Sequence, residues 1–351
     1  AMDNSSQRKI LRVSPACEIP QLAGEITSAL VGDGPSLGFG EITSEFAAHY
    51  AAVVIGTSGS SGSPKEVALT ATALISSARA SNKFINAKPG ETWSLLLPLT
   101  HIAAVNVIIR AIELGTLPID LRNHEGEYPK ANYTSIVPTQ LFRALNGDVR
   151  LLSHLKSAKT VLVGGAALSQ SLRNQAELAG IKVVTTYGMT ETCGGCVYDG
   201  EVLDGVAIEI RNGKIAIRGP ILASSVSLDA GWYETSDLGE FKNDKLIVLG
   251  RADDVIISGG ENLSLNAVEA SLSAAFVDVE FAAFSIEDPQ WGDSLQIAVV
   301  GTVSDEELVA RLESDLGSFA KPKGIHRLTS LPLLGIGKVD RKSLAKGVAH
   351  E

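Results

Sequence analysis

Residues 51–65 read AAVVIGTSGSSGSPK, a short apolar, β-branched run that passes directly into a loop of serine, threonine and glycine ending in a lysine. The run has the composition of a buried strand. Thr57, Ser58, Gly59, Ser60, Ser61, Gly62 and Lys65 have the composition of a phosphate cradle: glycines admit close backbone approach, amides and hydroxyls donate to oxygen, and the lysine adds charge. The segment is not a G-x-x-x-x-G-K-[ST] loop, because Pro64 precedes the lysine and no serine or threonine follows it. Alone, it reads equally well as a flexible connection.

Outward from this segment the texture alternates. Strand-like runs recur near Val54, Leu96, Ile136, Leu162 and Val184, with helical apolar periods over residues 70–82, 103–114, 139–145 and 169–179. This is the spacing of βαβ units, and it predicts an α/β fold with layered sheets. After Gly200 the strands shorten, and Asn212-Gly213 between two alternating runs marks a hairpin in a small β-subdomain. From Arg251 a separate α+β pattern begins: strands over 255–257, 279–284 and 296–300, helices over 266–275 and 305–312. The expected organisation is a large α/β domain over residues 1–250 and a small C-terminal domain over 251–351.

With 351 residues, 45% of them hydrophobic and 20% charged, the chain can bury a sizeable core. A net charge of -10 leaves no basic footprint for nucleic acid, and no apolar run is long enough for a membrane span. The opening AMDNSSQRK lacks the apolar core of a secretory signal, and Ala1 before Met2 reads as a tag remnant, so a cytoplasmic enzyme is expected. Cys193 and Cys196 have redox or zinc spacing, but no second C-x-x-C or nearby histidine pair completes a metal shell.

Four further segments carry candidate chemistry. Residues 186–192, TYGMTET, follow the Val184 run and combine an aromatic face at Tyr187, a hydroxyl at Thr190 and a hard oxygen ligand suited to magnesium at Glu191. Residues 233–239, YETSDLG, offer Asp237 as an acceptor for two ribose hydroxyls, with Arg251 following one hairpin later. Residues 249–262, LGRADDVIISGGEN, set a charged junction before a Gly259-Gly260 turn. Residues 332–341, PLLGIGKVDR, hold Lys338 in a glycine-containing loop able to deliver positive charge to a reacting phosphate. Each alone is also what an ordinary turn looks like.

Together and in this order, the five segments closely resemble the core motifs of the adenylate-forming superfamily of acyl-CoA synthetases, peptide-synthetase adenylation domains and luciferases, from about Val53 to the C-terminus. The resemblance implies ATP, magnesium and coenzyme A as reactants and cofactors. It implies that residues 57–65 form the phosphate loop, that Gly164, Gly165 and Ala166 lie beside the acyl and adenine pockets, that Tyr187 and Gly188 contact adenine, and that Glu191 binds the metal with Thr190 beside it. Asp237 and Arg251 would hold ribose, Asp253 would be the hinge of a mobile C-terminal domain, Lys338 would stabilise adenylation, and Gly259 and Gly260 would serve the coenzyme A half-reaction. The chain departs from the pattern at Glu66 and Ser236, where the family usually has glycine, at Leu333 and Leu334, and in its short segment before the phosphate loop.

Residues 97–110, LPLTHIAAVNVIIR, address the acid. Arg110 sits in a mostly apolar helical run with no acidic residue adjacent in sequence, so a second substrate carboxylate is one partner for it, and a structural carboxylate or snorkelling to water is another. The His101 to Arg110 spacing and the stretch at 187–200 resemble the o-succinylbenzoate–CoA ligases of menaquinone biosynthesis in their short actinobacterial form. In that reading His101, Arg110, Gly188 and Met189 line the acyl site. Alternatives are a ligase for another aryl or medium-chain acid, an inactive nucleotide-binding homologue, and a carrier-loading domain; the partner expected is a small carboxylic acid, with a homodimer open.

Overall fold

The computed structural model describes residues 7–58, 64–258, 260–288, 292–334 and 338–348. The first sheet comprises β1 (Gln7–Arg12), β2 (Ser36–Phe39), β3 (Phe46–Ala48), β4 (Ala51–Ser58) and β5 (Pro64–Thr70), in the order β3-β1-β2-β4-β5. Helix α1 (Ile19–Leu30) connects β1 to β2, burying Ile19, Leu22, Ala23, Ile26 and Ala29 at helical spacing. The expected strand-to-helix passage at residues 57–70 is instead a hairpin: β5 turns back antiparallel on β4, pairing Thr57 with Lys65 and Ile55 with Val67. The cause lies in PKEVALT, whose Val67 and Leu69 enter the core in alternation with Glu66 and Ala68 on the other face. Helix α2 (Ala71–Phe84) then starts at Thr70, whose hydroxyl caps Ala73 N at 3.1 Å.

The second sheet comprises β6 (Trp93–Leu95), β7 (Ile119–Asp120), β8 (Tyr133–Ile136), β9 (Thr160–Val163), β10 (Val183–Met189), β11 (Gly194–Tyr198) and β12 (Glu201–Val202), in the order β12-β11-β10-β9-β8-β6-β7. Strands β6 to β10 run parallel, so the segments leaving their C-terminal ends share one edge. Helix α3 (Ile102–Glu113), apolar apart from Asn106, Arg110 and Glu113, lies largely buried among α1, α2 and this sheet. Helices α4 (Pro138–Leu145), α5 (Val149–Ser157) and α6 (Gln170–Leu178) supply a further core with β8 and β9.

Strands β13 (Ala207–Arg211), β14 (Lys214–Arg218), β15 (Tyr233–Lys242) and β16 (Lys245–Arg251) form a four-stranded antiparallel sheet. Its first turn is the expected Asn212-Gly213 pair, with φ of 50° and 79°, a conformation that favours these two residues. Beyond it come β17 (Val255–Ser258), β18 (Glu261–Ser264), helix α7 (Leu265–Ala275), β19 (Glu280–Asp288), β20 (Gly292–Val300), helix α8 (Asp305–Leu316), β21 (Gly324–Arg327), the short pair β22 (Leu333–Leu334) and β23 (Lys338–Val339), and helix α9 (Arg341–Val348). Among the described residues the hydrophobic clusters on either side of this point do not mix: none of the earlier ones extends past Leu246, and the later two begin at Ile256 and at Ala282. No helix among the described residues is long and apolar enough to cross a membrane.

Candidate active site

The C-terminal edge of the parallel strands gathers most of the sequence-predicted residues. β10 pairs parallel with β9 through Thr185 and antiparallel with β11 from Thr186, with a bulge between Tyr187 and Gly188 that re-aims the following residues. Gly188 fits only as glycine, since a Cβ there would lie 1.9 Å from Gly194 O. Gly164, on leaving β9, is held equally close: a Cβ would meet Thr186 Oγ1 at 2.2 Å. Gly165 follows with φ of 84°, and Ala166 is exposed.

A single 3-10 turn over Thr190–Thr192 follows β10. Thr192 Oγ1 donates back to Met189 O at 3.0 Å, and Glu191 O accepts from Ala223 N at 2.8 Å. Ser224 N in turn donates to Ala68 O at 3.0 Å, tying the turn to β5. This brings Lys65 and Glu191, 126 residues apart, into an ion pair at 3.0 Å, with the carboxylate largely shielded from water. The next residue, Glu66, points to the other side of the strand, where its carboxylate accepts from Thr43 N at 2.6 Å, Thr43 Oγ1 at 2.9 Å and Ser44 N at 3.0 Å. Burial acts to raise its pKa, but these donors outweigh burial and bring it down to about 2. Thr57 Oγ1 donates to Lys65 O at 3.0 Å. Gly59, Ser60, Ser61 and Gly62 lie outside the described residues.

A second pair stands nearby: the Tyr187 hydroxyl donates to Asp237 Oδ2 at 2.7 Å, and Asp237 is the cross-strand partner of Arg251. Burial and the Asp237 charge push the Tyr187 pKa up. Tyr233, unassigned from sequence, is raised to about 12 by burial and then by the charges of Glu191 and Asp237, so it stands among these carboxylates. Arg251 grips Asp253 with two hydrogen bonds, of 2.8 and 3.0 Å. His101, at the start of α3, is lowered below its ordinary 6.5 by burial and then by the charge of Lys338, which brings the C-terminal lysine within electrostatic reach of the same edge. Gly260 adopts φ of 86° with open space around it, between β17 and β18; Gly259 lies outside the described residues.

Arg110 lies about 14 Å along α3 from His101. It is 4% exposed and, among the described residues, has no ion pair. Its guanidinium donates to Ser135 Oγ at 3.3 Å and Tyr198 OH at 3.0 Å, and sits 5.1 Å from the Trp93 ring centroid. Its Nε has no partner among the described residues, and the same holds for Oδ1 of Asn106, one turn earlier. Asn106 Nδ2 donates to Cys193 O at 2.6 Å, so Asn106 and Arg110 both face β11 and the turn before it. Sequence reading missed Asn106, Ser135 and Tyr198; an asparagine four residues before the arginine in a mostly apolar helix was the available signal. The two cysteines of the C-G-G-C stretch are buried thiols whose pKa burial pushes up, to about 12 for Cys196.

The family model described as AMP-binding enzyme matches residues 16–218. A protein of Mycobacterium tuberculosis named probable 2-succinylbenzoate–CoA ligase is 38% identical over 331 residues, covering 86% of this chain and 85% of that protein. The Escherichia coli 2-succinylbenzoate–CoA ligase is 30% identical, covering 84% and 68%. A solved structure of an E. coli MenE variant with bound OSB-AMS superposes with a TM-score of 0.76 at 24% identity, covering 98% of this chain and 82% of that one, and so shares the fold.

Proposed function

Because the chain belongs to the AMP-binding enzymes, we propose that it is an ATP-dependent ligase that joins 2-succinylbenzoate to coenzyme A, the acid–thiol ligation of menaquinone biosynthesis. The reaction has two halves. A substrate carboxylate oxygen bonds to the α-phosphorus of ATP as pyrophosphate leaves, and the thiol sulfur of coenzyme A then bonds to the acyl carbon as AMP leaves. The observation that carries the adenylating half is the meeting of Lys65 with Glu191 and of Tyr187 with Asp237 at one sheet edge.

Lys65 and the loop at 57–62 would hold the phosphates, and Gly164 to Ala166, Tyr187 and Gly188 the adenine. Asp237 and Arg251 would hold ribose. Glu191 is a hard oxygen donor, and Thr190 brings a hydroxyl in the same turn, donor types that would suit magnesium. When bound, that ion spreads charge over the phosphate oxygens. Lys338, in reach of His101, would lower the barrier by meeting the charge that develops at the α-phosphate. Rotation about Asp253 would then withdraw it and bring the Gly259-Gly260 turn to the site for the thiol. His101 and Met189 would line the acyl pocket. Arg110, a buried cation with an unpartnered Nε, would take the carboxylate that is not activated.

Pyrophosphate release with ATP and magnesium, measured over 2-succinylbenzoate, benzoate and aliphatic acids with and without coenzyme A, tests this reading. Turnover selective for 2-succinylbenzoate, falling about 100-fold or more in Arg110→Ala, is expected. A preference for a monocarboxylate would overturn the substrate assignment and leave the adenylating chemistry standing.

A further inference from the structure

Lys338 lies in a two-residue strand of a minimal hairpin, β22 with β23, and such a hairpin has little stability of its own. Something else must fix the lysine for it to act at one atom. Three residues on, Arg341 opens α9 and engages four separate acceptors through all three of its guanidinium nitrogens. Nε donates to Ala283 O on β19 at 2.8 Å; Nη2 donates to Glu269 Oε1 at 2.9 Å and Asn266 Oδ1 at 3.3 Å, both on α7; Nη1 reaches Asp254 Oδ2 at 3.5 Å. Asp340, between the lysine strand and Arg341, donates its N–H to Pro332 O at 2.8 Å and caps α9 through Ser343.

We infer that Arg341 is a positioning residue for Lys338, tying the lysine hairpin to the segment just past the proposed hinge. Asp254 directly follows Asp253, and Asn266 packs so tightly on Gly250 that a Cβ there would lie 2.2 Å from its Nδ2. One side chain thus ties the lysine hairpin to the body of the C-terminal unit, where Asn266 in turn lies against the last strand before the hinge. All four acceptors lie after residue 253, so the clamp travels with the hairpin when the unit turns. Its effect therefore falls on the half-reaction in which Lys338 is present at the site. A lysine cannot replace it, because one ammonium cannot reach acceptors spread over three elements.

The inference rests on the adenylating role proposed for Lys338, and the experiment separates the two. Pyrophosphate release is measured alongside thioester formation from supplied acyl-adenylate, for Lys338→Ala, Arg341→Ala, Arg341→Lys and the double variant Lys338→Ala/Arg341→Ala. Arg341→Ala is expected to slow adenylation by about 10- to 100-fold. It should leave thioester formation within about twofold and add nothing in the Lys338→Ala background. Arg341→Lys should fall between; if Arg341→Ala does not fold, Arg341→Lys carries the same test. Equal losses in both half-reactions, or a full further loss in the Lys338→Ala background, would overturn the positioning role. Unchanged adenylation in Lys338→Ala would instead remove the role of the lysine itself.

Discussion

Lys65 and Glu66 are adjacent, yet strand geometry sends them to opposite sides, one to Glu191 and the other to Thr43 and Ser44. A carboxylate next to a phosphate-binding lysine is thereby kept off the site. With its pKa brought down from 4.5 to about 2, Glu66 contributes stability that is present above pH 4.5 and is lost as pH falls through about 2. Glu66→Gln should cost about 1–2 kcal/mol near neutrality, with the gap to the parent closing towards pH 2 in denaturant titrations. His101 has the opposite chemistry and the same sign. Its pKa is depressed, so as pH drops below 6.5 the unfolded chain takes up the proton first, and stability declines until His101 itself protonates. Lys338→Ala removes one cause of the depression and should raise the His101 pKa, read by NMR titration of the ring. An unmoved resonance would place Lys338 out of reach.

Among the elements, the parallel strands were legible in the sequence because their apolar runs and the loops after them carry local signals. Runs at Val54, Ile136, Leu162 and Val184 became β4, β8, β9 and β10, and Tyr187 and Glu191 sit where the end of β10 predicts. β5 was not legible, because Lys65 and Glu66 interrupt its start and its partner is fixed only by the closing of a hairpin. α1 had a readable period at Ile19, Leu22, Ala23 and Ile26, but nothing chemical marked it. The pairing of Lys65 with Glu191 and the seat of Arg110 depend on contacts between distant segments, which periodicity does not encode. At this scale the bulge in β10 is the sensitive point. Gly188→Ala must displace the Gly194 carbonyl, and is expected to cost about 1–3 kcal/mol and to raise the KM for ATP, checked by thermal melting and initial rates.

For the molecule as a whole, the hydrophobic clusters that end at Leu246 and begin at Ile256 are separate among the described residues, and Arg251, closing β16, pairs with Asp253 between them. If the C-terminal body turns there between half-reactions, Asp253→Pro, which fixes φ near -65°, should penalise the step that needs the turn. Thioester formation should fall by about tenfold or more, a barrier increase of at least ~1.4 kcal/mol, while pyrophosphate release is largely kept. Equal loss in both would relocate the pivot.

The Lys65–Glu191 ion pair has a consequence for binding order. Each charge occupies the position of the other's proposed ligand, so a nucleotide that draws Lys65 to its phosphates liberates a carboxylate, and a divalent cation that captures Glu191 liberates an ammonium. The two affinities are thermodynamically linked: whatever factor the cation adds to nucleotide affinity, the nucleotide must return to the cation.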